Sequence, residues 1–399
     1  MAYPKGIGCE RGIVLVMVLL IMGLLSAVAA GTLLSGQIDL RISANLKTRT
    51  QAFYIAEAGL HRAWQEMADG DGTDDFVAVF SAQGATTLFN NTSFSGGSYA
   101  VTARALSGSN PKRIKVTSTG CLPAGDPCSS GSSKVVTEAQ FKRASLFPCA
   151  VCGKDSVSLS GGAKTDSFDS RVAPYDALTA GSDGDVRSNG AIVLSGNTTQ
   201  IRGDATAGGT VSIHGGATVT GTVTNNVPLR EFPSVTPCGP PYSSGSGITG
   251  GSYSSITGEL RGTGGDAIVL ADGTYCFSSV TLGGGSTLTV NGPVTINVTA
   301  DSDFTGGGVT NTTTIAENFK ILSSLASSSQ GIRVSGGGQA YMVIYAPDGR
   351  LKVVGGGNIF GSVVGKIVES AGGVRFHYDK RLEDNQDGGV VMLTWVELF

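Results

Sequence analysis

Residues Ile13 to Leu34 form one apolar run, IVLVMVLLIMGLLSAVAAGTLL, without a charged side chain. About 20 such residues are enough to cross a bilayer as a helix. A short polar leader precedes the run and ends Glu10-Arg11-Gly12. No proline interrupts the chain from Ile13 to Met67. One continuous helix of roughly 80 Å is therefore expected, at about 1.5 Å per residue. In its second half Ile38, Ile42, Leu46, Phe53, Ala56, Leu60, Trp64 and Met67 recur at spacings of three, four or seven. That rhythm marks one face of a helix, fit to pack on a globular domain and on similar helices. The order of parts implies an N-terminal membrane anchor, with everything after Leu34 outside the cytoplasm.

An ordinary secretory signal is the rival reading. Ala27-Val28-Ala29-Ala30 has the small residues of a cleavage site, but the apolar run continues past it. A lipoprotein signal is excluded by order, because Cys9 precedes the apolar segment. Lys5 and Arg11 favour a cytoplasmic N-terminus, and Arg41, Lys47 and Arg49 weaken that bias.

The stretch Gly12-Ile13-Val14-Leu15-Val16-Met17, the apolar run, and then Thr48-Arg49-Thr50-Gln51-Ala52-Phe53-Tyr54-Ile55-Ala56-Glu57-Ala58-Gly59-Leu60 resemble the N-terminal region of PilX-type minor pilins of type IV pili. The resemblance covers Arg11 to Trp64. It implies cutting after Gly12 by prepilin peptidase, with Ile13 as the new and methylated N-terminus. It implies storage in the bacterial inner membrane, N-terminus cytoplasmic, then export into an extracellular pilus. The partners implied are other pilins and minor pilins, met through a helix face of Met17, Ile38, Ile42, Leu46, Phe53, Leu60 and Trp64. Major pilins carry glutamate at the fifth mature position and pair it with a neighbouring subunit's N-terminus. Here that position is Met17, as in PilX-like subunits and in K-type pseudopilins of type II secretion. This departure points to a rare subunit at the tip.

Net charge is −3 and no long basic run occurs, so no nucleic-acid partner is expected. Of seven cysteines, Cys9 lies in the leader. The other six read as disulfides in an oxidising compartment: Cys121–Cys128, Cys149–Cys152 and Cys238–Cys276. Zinc is the alternative for Cys121-x6-Cys128 and Cys149-x2-Cys152. Asp69, Asp71, Asp74 and Asp75 offer oxygen ligands, yet their spacing fails the EF-hand pattern and suits a solvated loop.

The fold class expected is α+β followed by all-β. A leader (1–12) and the pilin-like helix (13–68) precede a small α+β module (69–147). In that module Ser98–Arg104, Arg113–Ser118 and Lys134–Phe141 alternate apolar and polar residues, as half-buried antiparallel strands do. From Pro148 the texture changes. Glycines number 60 in the 399-residue chain and lack the three-residue period of collagen. The triplets Gly283–Gly285, Gly306–Gly308, Gly336–Gly338 and Gly355–Gly357 stand 23, 30 and 19 residues apart. Repeats of this size mark a stacked coil. Residues 148–399 are therefore read as a β-solenoid from Val157 to Tyr378, interrupted around Pro228 to Ser255. A β-sandwich is the alternative. The stretch from Ala346 to Asp379 also resembles β-rich extracellular domains fused to PilX-type N-termini.

No enzyme is expected, and no cofactor. The best candidate acidic pairs, Asp183/Asp185 and Asp301/Asp303, flank Ser/Gly-rich turns where aspartate is an ordinary turn residue. His61, His214 and His377 stand far apart, and Gly361-x3-Gly365-Lys366 falls short of a P-loop. The function expected is a structural minor pilin that primes or caps pilus assembly and displays a β domain for adhesion to a surface or glycan. The alternatives are a secretion pseudopilin and a membrane-anchored β-helix enzyme acting on polysaccharide.

Overall fold

The computed structural model describes residues 10–69, 74–106, 113–124, 132–335, 338–385 and 387–398. They divide into two compact units, 1–142 with 390–399, and 143–389.

The first unit is built on helix α1 (Glu10–Asp69). A short helix α2 (Phe76–Ser81) follows, capped by Asp75, whose Oδ1 accepts from the Ala78 N–H at 2.6 Å. Then come β1 (Ala85–Phe94), β2 (Gly97–Ala105), β3 (Arg113–Leu122) and β4 (Ser133–Arg143). A closing strand, Val390–Leu398, completes an antiparallel sheet in the order β1-β2-β3-β4-closing strand. Residues 390–398, expected within the 148–399 domain, thus belong to the first unit. Their apolar sequence, VVMLTWVEL, continues the sheet beside β4. The solenoid is an insertion between two neighbouring strands.

One face of this sheet carries Tyr99, Val101, Ile114, Val116, Ala139 and Phe141, and these pack on Ile55, Leu60, Ala63 and Met67 of α1. Glycines bring the helix close. A Cβ added at Gly120 would stand 2.6 Å from the backbone nitrogen of Ala56. At that separation only glycine fits.

The second unit is a β-solenoid whose coils have up to three strands each. Parallel partners lie about one coil apart in sequence: Val186 pairs with Ala205, Ile192 with Val211 and Ile201 with Val219. Inward residues form aliphatic columns, among them Ile268, Leu288, Ile296, Ile321, Ile344 and Val363, all fully buried. Each contributes about 1.5–3 kcal/mol by leaving water. A lone coil has no second layer to supply that burial, so stacking makes the core.

The coils do not stack in chain order. Residues 151–224 wind in one direction from the strand Val151–Leu159. The chain then travels back and resumes at Glu259–Gly262, winding through Arg375–Asp379. There it meets its own beginning: Val363 pairs with Val151, Val368 with Val157 and Phe376 with Thr165. The stack is continuous across this seam although its two sides are some 200 residues apart in sequence. The expected interruption around Pro228–Ser255 is the return segment. Arg230 exchanges hydrogen bonds with Asn189 near one end (2.7 and 2.8 Å), and the Tyr345 hydroxyl donates to the Pro233 carbonyl at 2.7 Å. At the far end the short strands Ile248–Thr249 and Ser252–Tyr253 pair antiparallel to the coil edge and close it.

Five of the glycine pairs share one structural meaning. Gly161-Gly162, Gly215-Gly216, Gly264-Gly265, Gly284-Gly285 and Gly372-Gly373 occupy the corner between the second and third strands of successive coils, each with φ between 58° and 91°. Two consecutive left-handed residues turn the chain there, a conformation that costs L-residues about 1–2 kcal/mol each.

Candidate functional site

Helix α1 has two unlike halves. From Val14 to Leu46 its large apolar side chains are exposed, including Met17 (63%), Leu40 (72%) and Leu46 (64%). The 18-residue window that marks a candidate membrane span has mean hydropathy 2.7 and none of it is buried. The hydroxyls inside the apolar segment satisfy themselves locally: Ser26 donates to the Met22 carbonyl at 2.7 Å and Thr32 to Ala29 at 2.9 Å. Such back-bonding leaves no polar group facing an apolar surrounding.

From Ala52 onward the helix belongs to its own sheet. Ala52, Ile55, Ala56, Leu60, Ala63 and Met67 are buried. The structure therefore splits the expected assembly face. Ile38, Ile42, Leu46 and Met17 are exposed, whereas Leu60 lies in the internal core. Phe53 packs edge-on against Trp395 at 5.7 Å, and the Trp64 indole donates to the Val390 carbonyl at 2.7 Å. One regular spacing serves two partners in succession. Gly12 and Ile13 lie within the first turns of α1.

The cysteines form cross-links. Cys149–Cys152 and Cys238–Cys276 are disulfides, with Cα atoms 6.0 and 5.6 Å apart, which removes the zinc reading of Cys149-x2-Cys152. Cys121 is also disulfide-bonded. Its expected partner Cys128 lies outside the described residues, as does Asp71.

Three of the four paired aspartates cap backbone N–H groups. Asp185 Oδ1 accepts from the Asp204 N–H at 2.8 Å, Asp301 Oδ1 from Gly331 at 2.7 Å, and Asp303 Oδ1 from Thr305 at 2.8 Å. Asp183 meets Lys380 Nζ at 3.0 Å. Burial pushes the Asp185 carboxyl above its ordinary range. Among the described residues no group of three or more His, Cys, Asp or Glu side chains is placed to hold a metal.

Sequence reading missed one constellation. His377 is buried, with Nδ1 2.6 Å from Asp166 Oδ1 and Nε2 3.0 Å from Asn358 Oδ1. The Tyr175 hydroxyl donates to the other Asp166 oxygen at 2.9 Å, and its ring centroid lies 4.0 Å from the imidazole. Burial foremost, then the Asp166 charge, raises the Tyr175 pKa, keeping the phenol protonated as a donor. His377 and Asp166 are register partners across the seam, so the cluster joins the two sides of the seam. No sequence signal links residues this far apart. His61 is an exposed residue of α1 beside Trp64, and His214 ends an exposed strand of the last coil.

With this geometry in place, residues 11–61 match the family model described as PilX N-terminal. The chain has a PilX-type N-terminus. Its small residues have a physical role, since Ala52, Ala56 and Gly59 are where α1 meets β2 and β3. Residues 249–385 match a second model, described as a domain of unknown function (DUF7305). That match begins at the capping strand Ile248–Thr249 and spans the coils that wind back to the seam. A search of curated proteins found no match. Among solved structures, the competence-associated pilin ComZ from Thermus thermophilus aligns with 14% identity over 88% of this chain and 97% of that one. Its TM-score is 0.26.

Proposed function

We propose that this chain is a minor pilin that primes or caps a type IV pilus and displays its solenoid outside the cell. The observation that carries the reading is the exposed apolar half of a PilX-type helix, residues 14–46. Eighteen large apolar side chains in this span stand exposed, uncovered by the described residues of the chain itself. Leaving such a surface in water is unfavourable, whereas a bilayer and then a bundle of like helices cover it in turn.

Several features support a rare position over a bulk one. Met17 offers no carboxylate to a neighbouring N-terminal amine, and burying that amine unpaired is costly. The inserted unit, residues 143–389, exceeds the rest of the chain in size, which disfavours close repetition along a shaft. It leaves the sheet by two adjoining segments, with the Ala144 N–H bonded to the Gly389 carbonyl at 2.9 Å and the Gly388 N–H to the Ala144 carbonyl at 3.1 Å. An insertion with joined ends extends a pilin head while β4 and the closing strand stay paired. Cleavage after Gly12 by prepilin peptidase, a cytoplasmic N-terminus, and adhesion by the solenoid belong to the same proposal. Immunogold labelling against the solenoid tests it: label at fibre tips supports the reading. Regular decoration of shafts refutes tip placement, and label confined to the inner membrane favours a secretion pseudopilin.

A further inference from the structure

The two edges of the pilin-like sheet are built differently. Edge strand β1 is interrupted by two register shifts, between Thr87 and Phe89 and between Phe89 and Thr92. Asn91 within it and Ser95 at its end have φ of 47° and 49°. Bulges of this kind twist an edge away from new partners. The closing strand has no such protection. It is nine residues long, holds no lysine or proline, and among the described residues pairs on one side only, with β4. Val391, Met392, Leu393, Trp395, Val396 and Leu398 are each 37–45% exposed. Its single charge, Glu397, is already engaged by Arg49 at 3.0 Å. A long, apolar, unblunted edge invites an added strand.

Its direction limits what can add. Val390 meets Trp64, Trp395 meets Phe53 and Glu397 meets Arg49. From Trp64 to Phe53 the helix rises about 17 Å, and from Val390 to Trp395 the strand advances about the same. The closing strand therefore runs along α1, antiparallel to it. A twofold pairing of this edge with itself would reverse the second copy's helix, yet helices anchored in one membrane run the same way. A head-to-tail pairing with a second copy would need its other edge, the bulged β1. The edge is also continuous with the exposed helix surface, through Phe53, Tyr54 (61% exposed) and Leu46.

We propose that the closing strand receives an uncharged, β-branched or aromatic edge strand from a different pilin-type subunit whose helix lies parallel to α1. This rests on the reading of the chain as a pilin. A photoreactive residue placed at Met392, or separately at Val396, in the full chain and in cells making the other pilins tests it, with Leu40 as the helix control. The expected result is a covalent product from both elements, identified by mass spectrometry as another pilin subunit. Leu393→Lys should lower the strand product roughly tenfold or more, by placing a charge in the joined sheet, and leave the Leu40 product unchanged. Products from Leu40 with none from Met392 or Val396 overturn the edge proposal and leave the pilin reading standing. A strand product with a second copy of this chain overturns the choice of partner. No product from any position overturns the edge proposal together with the pilin reading.

Discussion

The return segment makes the solenoid's non-sequential stacking workable, and the Cys238–Cys276 disulfide is its fastening. The bond closes a loop of 38 residues between the segment and the strand Gly273–Phe277. In the chain-entropy view a closure of that length restricts the unfolded state by about 4 kcal/mol. Local hydrogen bonds reinforce it: the Cys276 N–H donates to Ser243 Oγ at 2.8 Å and the Ser243 N–H to the Cys276 carbonyl at 3.1 Å. Replacing both cysteines with serine should loosen the coils nearest the closing cap first, because repeat stacks open from their ends. Hydrogen exchange on full-length protein in detergent reads this directly. The expected loss is about 2–4 kcal/mol of protection over residues 248–277, with residues 151–207 unchanged. Equal protection in both forms, within about 0.5 kcal/mol, would show that the segment does not hold that end, and the reasoning would fail.

Other perturbations separate the remaining elements. Gly120→Val should push α1 off β3 and cost about 1–3 kcal/mol by overpacking, measured by denaturant unfolding. Asp166→Ala should orphan both His377 Nδ1 and the Tyr175 hydroxyl and cost about 2–4 kcal/mol, seen as protease sensitivity across 164–168 and 375–379; unchanged sensitivity would remove the seam lock. Asp185 titrates above its unfolded value because of burial, so its contribution to folding is full at low pH and falls as pH rises through its folded pKa. Asp185→Asn should therefore stabilise the fold at neutral pH, with the difference vanishing below about pH 4 in a thermal-melt series.

The parts legible in the sequence were those set by local pattern. The apolar run needs no context, and the alternation in Arg113–Ser118 and Lys134–Phe141 marks half-buried strands. The glycine spacings from 283 to 306 to 336 to 355 follow the coil lengths, since Thr281 pairs with Asp303, Asp303 with Arg333 and Gly331 with Arg350. What stayed hidden was long-range. Nothing local tells Val363 to pair with Val151, or His377 with Asp166. The closing strand was placed in the 148–399 domain because it follows the solenoid in the chain, and insertion has no periodic mark. The helix face was read as fit for both a globular domain and similar helices, but spacing shows which side chains align, not where one partner gives way to the other. Leu60 turned inward to the sheet while Leu46, on the same stripe, stayed exposed.

The central claim is that residues 14–46 of α1 carry this chain from a membrane into a fibre. Mass spectrometry of purified surface fibres, with the N-terminal peptide sequenced, tests it most directly. The account predicts that the chain is present at far lower abundance than the main subunit and begins at Ile13. A chain absent from the fibres, or one beginning near Ala30 or Gly31 with the apolar segment removed, would contradict it.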